Sequence, residues 1–300
     1  MLIDRVLESG HKGTEYLDTF VVFDVTNVAR YYYEGNDKEV WGLADDFPNI
    51  APPFSRLWFE YAPSKIAWSD GRRVETSIGQ LVRKCGVAME CFALDDVANM
   101  PEREAEVWQR LVASLSREPR WLCSAGVVME GVDKNIAPFP GIAMWGVSED
   151  GSYLGKNGML HCIAPQPVSD FYGNTFADEL GLFLHIPFLA LSFLHCRNVK
   201  IVEPLPNPKW DRARMKSGKK PLVRYETLEI EPMKRVLKEQ GERDTKGLKH
   251  ALHICRGHFK DFSEGGGLFG KYHGMYWWES QVRGRASEGI VVKDYSVVAS

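Results

Sequence analysis

Histidines and a cysteine cluster in the C-terminal third of the chain, where His250, His253, Cys255 and His258 follow one another in the spacing H-x-x-H-x-C-x-x-H. Imidazole and thiolate are common zinc ligands, but this spacing differs from those of structural zinc sites. If the segment is a strand, alternation sends His250 and His258 to one face and His253 and Cys255 to the other. The pattern therefore favours structural, hydrogen-bonded histidines, and no metal or other cofactor is predicted.

Arg256 and His258 share a face of the same predicted strand and indicate a second chemistry. An arginine can hold a phosphate while a neighbouring histidine serves as general acid or base in phosphodiester cleavage. Further basic groups are expected from neighbouring strands and loops: Lys260, Lys271, Arg283 and Arg285. These residues define an alternative function, a metal-independent RNase or nuclease that uses His258 and Arg256. The simpler hypothesis is that they hold a β module together.

Metal-dependent nuclease chemistry needs clustered carboxylates, because Mg²⁺ prefers hard oxygen ligands. The chain has adjacent acid pairs at 45–46 and 95–96, and Glu60 lies inside an apolar segment. We interpret the pairs as solvated loop acids, and the role of Glu60 stays open. The sequence contains no P-loop, no G-x-S-x-G elbow and no H-E-x-x-H motif. It therefore points away from an enzyme without excluding one.

The charges of the chain are distributed unevenly. Residues 1–208 carry 18 Lys and Arg against 28 Asp and Glu, residues 209–260 carry 15 against 7, and residues 261–300 carry 4 against 5. An acidic body with a basic stretch favours association, either between copies of the chain or with another macromolecule. A homo-oligomer is therefore expected.

The densest basic stretch surrounds a tryptophan and consists of Lys209, Trp210, Arg212, Arg214, Lys216, Lys219 and Lys220. Its composition suits an acidic protein face or the phosphate backbone of nucleic acid, as in a DNA-binding accessory protein. The sequence pI of about 6.3 argues against a dedicated nucleic-acid binder. A solvated linker is the remaining interpretation.

Aromatic and arginine side chains are expected to anchor a contact surface, because large amphipathic side chains carry most of the energy of an interface. The predicted anchors are Trp210, Tyr272, Tyr276, Trp277, Trp278 and Arg283. Adjacent strand residues face opposite ways, so at least one of Trp277 and Trp278 is expected in a core instead.

The elements that must position these residues begin with strands. Five segments before residue 150 are rich in β-branched and aromatic residues, at 20–33, 56–63, 86–94, 121–130 and 141–148. One amphipathic helix interrupts them at 101–118, where Val107, Leu111 and Leu115 share a face. Strand runs followed by helices indicate an α+β fold with a mostly antiparallel or mixed sheet.

The apolar segment 180–196 predicts a buried central helix rather than a membrane span, because it is short and contains His185, Pro187 and His195. Pro187 removes one backbone donor, so a kink or break is expected near Ile186. This gives three parts: an α+β body at 1–200, a basic Pro-rich arm or linker at 201–221 that lacks regular structure, and a small β-rich module at 222–300.

Six cysteines are scattered without a C-x-x-C pair, which favours reduced, mostly buried thiols. The N-terminal residues include acids and lack an apolar core, so no secretory signal is predicted. A cytoplasmic protein without a membrane partner follows as the expectation.

The C-terminal part of the chain, 196–297, carries a combination of short segments: GKKPL at 218, RGHF at 256, LFG at 268, YWW at 276 and RG at 283. This combination resembles a block shared by a family of proteins that phages, prophages and plasmids encode. PPFSRLWFEY at 52–61 is a weaker likeness to the N-terminal part of the same proteins.

The resemblance implies a mobile-element setting and no particular chemistry. A phage protein of this size without enzyme motifs suggests a counter-defence inhibitor, for example of the anti-Gabija type. We therefore expect a protein that binds a macromolecular complex of the host, plausibly as a non-catalytic inhibitor of a defence nuclease system.

Overall fold

The computed structural model describes residues 1–9, 14–29, 47–63, 66–69, 72–75, 80–155, 161–164, 176–204, 208–231, 251–255, 258–278, 281–283 and 285–290. The chain divides into two compact units. The first comprises residues 1–195 and 200–229, and the second comprises residues 196–199 and 230–300.

The first unit is built on a mixed sheet of eight strands. These are β1 (Val21–Asp24), β2 (Arg56–Tyr61), β5 (Val82–Ala93), β6 (Trp121–Gly131), β7 (Ile136–Val147), β8 (His161–Ile163), β9 (Val199–Val202) and β10 (Glu226–Ile230). Their order across the sheet is β8-β7-β6-β5-β2-β1-β10-β9. Strand β1 runs parallel to both β2 and β10, whereas β2, β5, β6, β7 and β8 pair antiparallel. The predicted α+β fold with a mixed sheet is confirmed. A separate hairpin joins β3 (Ile66–Ser69) to β4 (Arg72–Glu75).

Alternation along the strands gives the sheet two buried faces. One face packs against the central helix (Phe176–Leu194), where the Trp145 and Phe188 rings lie 5.0 Å apart. The other face is covered by the N-terminal helix (Leu2–Glu8) and by the amphipathic helix (Glu102–Ser114). The predicted amphipathic helix is confirmed, and its Trp108 ring packs edge-on against Phe92 at 4.6 Å.

The central helix is buried as predicted, but it runs through Pro187 without a break. Proline has no N–H to donate to the carbonyl four residues earlier, which belongs to Phe183. In the structure the hydroxyl of Tyr61, on β2, donates to that carbonyl at 3.0 Å. The sheet therefore supplies the hydrogen bond that the helix lacks. Within the described residues, no helix combines the length and apolarity needed to cross a bilayer.

Two expectations about local structure were wrong. The strand predicted at 20–33 ends at Asp24, whose carboxylate accepts from the Thr26 backbone N–H at 3.0 Å, and residues 26–29 are helical. This side-chain bond offers the backbone an alternative to the sheet ladder. The segment 201–221, expected to lack regular structure, contains a helix from Pro208 to Lys216, called here the basic helix.

The second unit contains β11 (Ala251–Cys255), β12 (His258–Asp261), β13 (Met275–Trp278), β14 (Gln281–Arg283) and β15 (Arg285–Ile290). Strand β12 pairs antiparallel with β13, and β11 lies between β14 and β15. The Asn198 side chain donates to the Trp277 carbonyl at 2.9 Å and accepts from the Trp277 N–H at 2.9 Å. This β-rich unit comprises residues 196–199 besides 230–300, and β10, within the predicted module at 222–300, joins the first sheet.

Candidate functional site

The basic helix has well-defined ends. Pro208 stands at its first position, where the missing N–H costs no helical hydrogen bond. At the other end Gly218 adopts a φ of 75°, a conformation that glycine reaches without a steric penalty. The Lys219 N–H then donates to the Arg214 carbonyl at 3.0 Å, and the Gly218 N–H to the Met215 carbonyl at 3.1 Å. These two bonds form a Schellman motif, which stops the helix and turns the chain back.

The inner side of the basic helix is fixed to the first unit. Arg214 and Lys219 both bind the carboxylate of Glu8, at the C-terminal end of the N-terminal helix. Asp211 accepts from the Leu222 N–H at 3.1 Å, which closes the segment on itself. One residue later, the Val223 N–H donates to Asp4 at 2.8 Å. The helix is therefore a positioned element of the first unit and not a free arm.

Glu8 reports the electrostatics of this anchor. Hydrogen bonds from Arg214, first, and from Lys219 hold the pKa of Glu8 below the ordinary glutamate value, against the opposing effect of burial. The glutamate stays ionised and neutralises part of the charge of the basic stretch. Two of the seven predicted binding residues, Arg214 and Lys219, thus belong to the attachment of the helix.

The outer side of the basic helix carries the other charges. Lys209, Arg212 and Lys216 recur at intervals of three and four residues, which places them along one stripe, and all three are exposed. Trp210 lies about 100° around the helix axis from Lys209, on the flank next to Arg214, and 64% of its surface is exposed. We call Lys209, Trp210, Arg212 and Lys216 the basic surface. Lys220, the last of the seven predicted residues, is exposed beyond the helix end.

The basic surface can bind anions through three cationic groups and can bury one large amphipathic ring. From Lys209 to Lys216 the stripe extends about 10 Å along the helix axis, at roughly 1.5 Å per residue. The pairing of Arg212 Nε with the Pro208 carbonyl, at 3.1 Å, restricts the arginine side chain on the helix surface. Carboxylates and phosphates are the groups that this arrangement suits.

The N-terminal helix that carries Glu8 is itself held by buried carboxylates. Glu60, left open by the sequence, is 1% exposed and accepts from the Leu2 N–H at 2.7 Å and from Lys84 at 2.6 Å. Glu130 is fully buried and binds both Arg5 and Arg83. Every one of these bonds is structural, so Glu60 acts in the anchoring of the helix. The sequence signal for this role was an acid inside an apolar strand.

Several predicted anchors in the second unit are buried and cannot contact a partner. Tyr272, Tyr276 and Trp277 are exposed by 4%, 7% and 3%. The two tyrosine rings pack edge-on at 6.2 Å, and Trp277 packs against Phe259 at 4.7 Å. Their large rings fill the core of this small unit, so these three residues differ from the exposed anchors that were predicted.

Trp278 differs from Trp277 because it lies on the opposite face of β13. It is half-buried, and the Lys260 ammonium sits 4.6 Å from the centre of its ring. Arg283 lies in β14, which pairs antiparallel with β11 so that Arg283 stands opposite His253. The direction of the Arg283 side chain lies outside the description.

Of the two residues of the nuclease hypothesis, only His258 is described. Strand β11 ends at Cys255 and β12 begins at His258, so the alternation predicted across the residues between them stays a prediction. His258 is exposed on β12, opposite Trp278. His250 and Arg256 lie outside the described residues. Among the residues that are described, no three His, Cys, Asp or Glu side chains come together in a way that could hold a metal ion.

Phe269 was missed by sequence reasoning. It is 58% exposed at the tip of a tight turn, and its φ of 55° lies in the left-handed region. Gly270 follows with a φ of 70°, and the Leu268 N–H donates to the Tyr272 carbonyl at 3.0 Å. Two consecutive positive φ angles are typical of a type I′ hairpin turn, which favours Asn-Gly. The sequence feature that indicates this turn is the dipeptide Phe269-Gly270, in which glycine occupies the second turn position.

Comparisons of this chain with protein-family models, with curated proteins and with solved structures found no match.

Proposed function

We propose that this protein binds an acidic face of another macromolecular complex through the basic surface and acts without turnover. The setting proposed for it is that of a phage or other mobile element, in the cytosol of the host, where it inhibits a defence nuclease system of the Gabija type. One observation carries the binding function: three exposed cationic side chains form a stripe on a helix whose opposite side is fixed, and a tryptophan with 64% of its surface exposed lies on the flank of the same helix.

Fixation of the inner side matters for affinity. A helix that is already ordered by Glu8, Asp211 and the Gly218 turn loses little conformational entropy when a partner binds. An exposed tryptophan is among the side chains that most often dominate binding energy, and flanking cations select an acidic partner and speed encounter.

An acidic protein face fits better than a nucleic acid. The chain has a formal net charge of −3, and the strongly acidic portion 1–208 repels polyphosphates at long range. The basic surface is confined to one short helix, and two neighbouring cations are already paired with Glu8. Binding to nucleic acid through the basic stretch is therefore the second candidate.

The binding function is tested with the double charge reversal Arg212→Glu with Lys216→Glu, and with Trp210→Ala. The partner offered is purified Gabija complex, and affinity is measured by calorimetry at two salt concentrations. We expect each variant to weaken binding by about tenfold or more. The matched control is Arg103→Glu with Arg110→Glu on the exposed side of the amphipathic helix, which should leave affinity unchanged.

Three outcomes would contradict the proposal. The first is equal binding by the two double variants, which would move the interface elsewhere. The second is tight binding of duplex DNA or RNA with a steep salt dependence and no complex with protein. The third is cleavage of labelled RNA or DNA that His258→Ala abolishes, which would favour the nuclease. The expected homo-oligomer stays a prediction, and mass measurement of the purified chain at micromolar concentration checks it.

A further inference from the structure

Two cysteines face each other across neighbouring strands of the first sheet. Cys91 on β5 stands directly opposite Cys123 on β6 in the antiparallel register. Both are buried, with 5% and 1% exposure. The other described cysteines have different neighbours: Cys85 stands opposite Met129, and Cys162 opposite Ala143.

The backbone shows which kind of pair this is. The Cys91 N–H donates to the Ser55 carbonyl at 2.8 Å, on the side of β5 that faces β2. In an antiparallel strand, the N–H and C=O of one residue point to the same side, so the Cys91 backbone is turned away from β6. Cys91 and Cys123 therefore form a non-hydrogen-bonded pair, the type in which side chains lie closest and Cα atoms are about 4.5 Å apart.

This geometry meets the requirement for a disulfide. Disulfides span Cα separations of roughly 4.4–6.8 Å, and a non-hydrogen-bonded pair lies at the short end of that range. We propose that Cys91 and Cys123 are a redox modification site, which closes as a disulfide across β5 and β6 when the protein meets a peroxide. This inference is independent of the proposed binding function.

The chemistry needs two thiols and one peroxide. Peroxide transfers one oxygen to the Cys91 sulfur, giving a sulfenic acid and releasing water. The Cys123 sulfur then attacks the Cys91 sulfur, the S–S bond forms, and the sulfenic oxygen leaves as a second water. In total the thiols lose two hydrogen atoms, and the peroxide is reduced to two waters. Cys91 is assigned the first step because it is the more exposed of the two.

Burial makes the site slow to respond. Exclusion of water, with the neighbouring Cys91 thiol, raises the pKa of the Cys123 thiol well above its usual range. Thiolate is the reactive form, so the pair stays reduced in a reducing compartment and reacts only when the sheet opens locally. The disulfide would close a covalent loop of the chain that contains the 3₁₀ helix Leu94–Asn99 and the amphipathic helix, because both lie between the two cysteines in the sequence.

The test is a disulfide map of the full chain after exposure of the folded protein to hydrogen peroxide. Remaining thiols are alkylated under denaturing conditions, and non-reduced peptides are identified by mass spectrometry. We expect a peptide pair joined through Cys91 and Cys123 with the mass of two hydrogens missing. The melting temperature should rise by roughly 5 °C and return to its starting value with dithiothreitol.

Variants separate this site from incidental oxidation. Cys91→Ser should abolish both the joined peptide and the rise in melting temperature, whereas Cys85→Ser should retain them. Half-exposed Cys162 serves as the internal reference for access of the oxidant. The proposal is overturned if Cys162 is fully oxidised while Cys91 and Cys123 are still alkylated, or if either cysteine is found joined to another partner. The map of the unsubstituted protein decides the question even if a variant does not fold.

Discussion

The hydroxyl of Tyr61 is expected to replace the hydrogen bond that Pro187 removes from the central helix. Tyr61 is 1% exposed and donates to the Phe183 carbonyl at 3.0 Å, four residues before the proline. Tyr61→Phe deletes one oxygen atom and leaves the ring in place, so it opens almost no cavity. The substitution removes the donor of a buried carbonyl.

A buried polar group left without its partner costs about 1–3 kcal/mol. We therefore expect Tyr61→Phe to lower the free energy of unfolding by about 2 kcal/mol, toward the middle of that range. Pro187→Ala supplies a backbone N–H that can donate to the same carbonyl from within the helix. In the Pro187→Ala background the loss caused by Tyr61→Phe should shrink to less than about 1 kcal/mol, because the carbonyl keeps a donor.

Urea unfolding, followed by circular dichroism, measures the four members of this double-mutant cycle. The difference between the two Tyr61→Phe effects is the coupling energy, and we expect it to be about 1 kcal/mol. An equal loss in both backgrounds would refute the idea that the hydroxyl compensates for the proline. A loss below about 0.5 kcal/mol in the natural background would do the same, since surface changes without structural effect reach that size.

Three further predictions concern the anchor of the basic helix, the turn at Phe269 and the packing of the sheet. The pKa of Glu8 is lowered in the folded state, so ionised Glu8 stabilises the docked basic helix fully at pH values above the ordinary glutamate pKa of 4.5, and this stabilisation is lost as the pH falls through the lowered pKa. Hydrogen exchange of the basic helix should therefore rise over that acidic range. Glu8→Gln should remove this pH dependence. Phe269→Asn should raise the stability of the second unit by about 1 kcal/mol in thermal unfolding, because asparagine tolerates the left-handed region better than phenylalanine; unchanged or lower stability contradicts this. Gly86→Ala should lower the free energy of unfolding, measured in urea, by roughly 1–3 kcal/mol, because the new methyl group would lie 2.1 Å from the buried Trp58 ring. Gly126→Ala on the adjacent strand is the control: its methyl group meets no atom within 4 Å, so the free energy of unfolding should change little.

Local sequence patterns were sufficient to predict the long strands of the first sheet. Strands β2, β5 and β6 alternate buried and accessible residues or carry continuous apolar runs, and both patterns are visible without a structure. The strand predicted at 20–33 failed because one side chain, Asp24, bonds the backbone two residues on. This hydrogen bond depends on a single residue within a segment of high β-propensity. A propensity averaged over the segment therefore still predicts a strand.

The basic helix shows how composition can hide a local signal. Proline at the first turn, lysine in the last turn and Gly218 two residues after the end are typical of a helix. Four prolines within 201–221 outweighed these signs, although Pro208 stands where proline favours a helix. The attachment of the helix was not predictable, because Glu8 and Arg214 are 206 residues apart in the chain.

The N-terminal helix connects the buried charges of the sheet to the basic surface. Its first N–H groups bind Glu60 on β2, and its last residue, Glu8, binds Arg214 and Lys219. A helix of seven residues is too short to be stable by itself, so it depends on these two attachments and on its buried apolar side. The orientation of the basic helix is therefore a consequence of folding, since Glu60 and Glu130 fix the N-terminal helix to the sheet, and Asp4 and Glu8 of that helix in turn hold the basic helix and the residues after it.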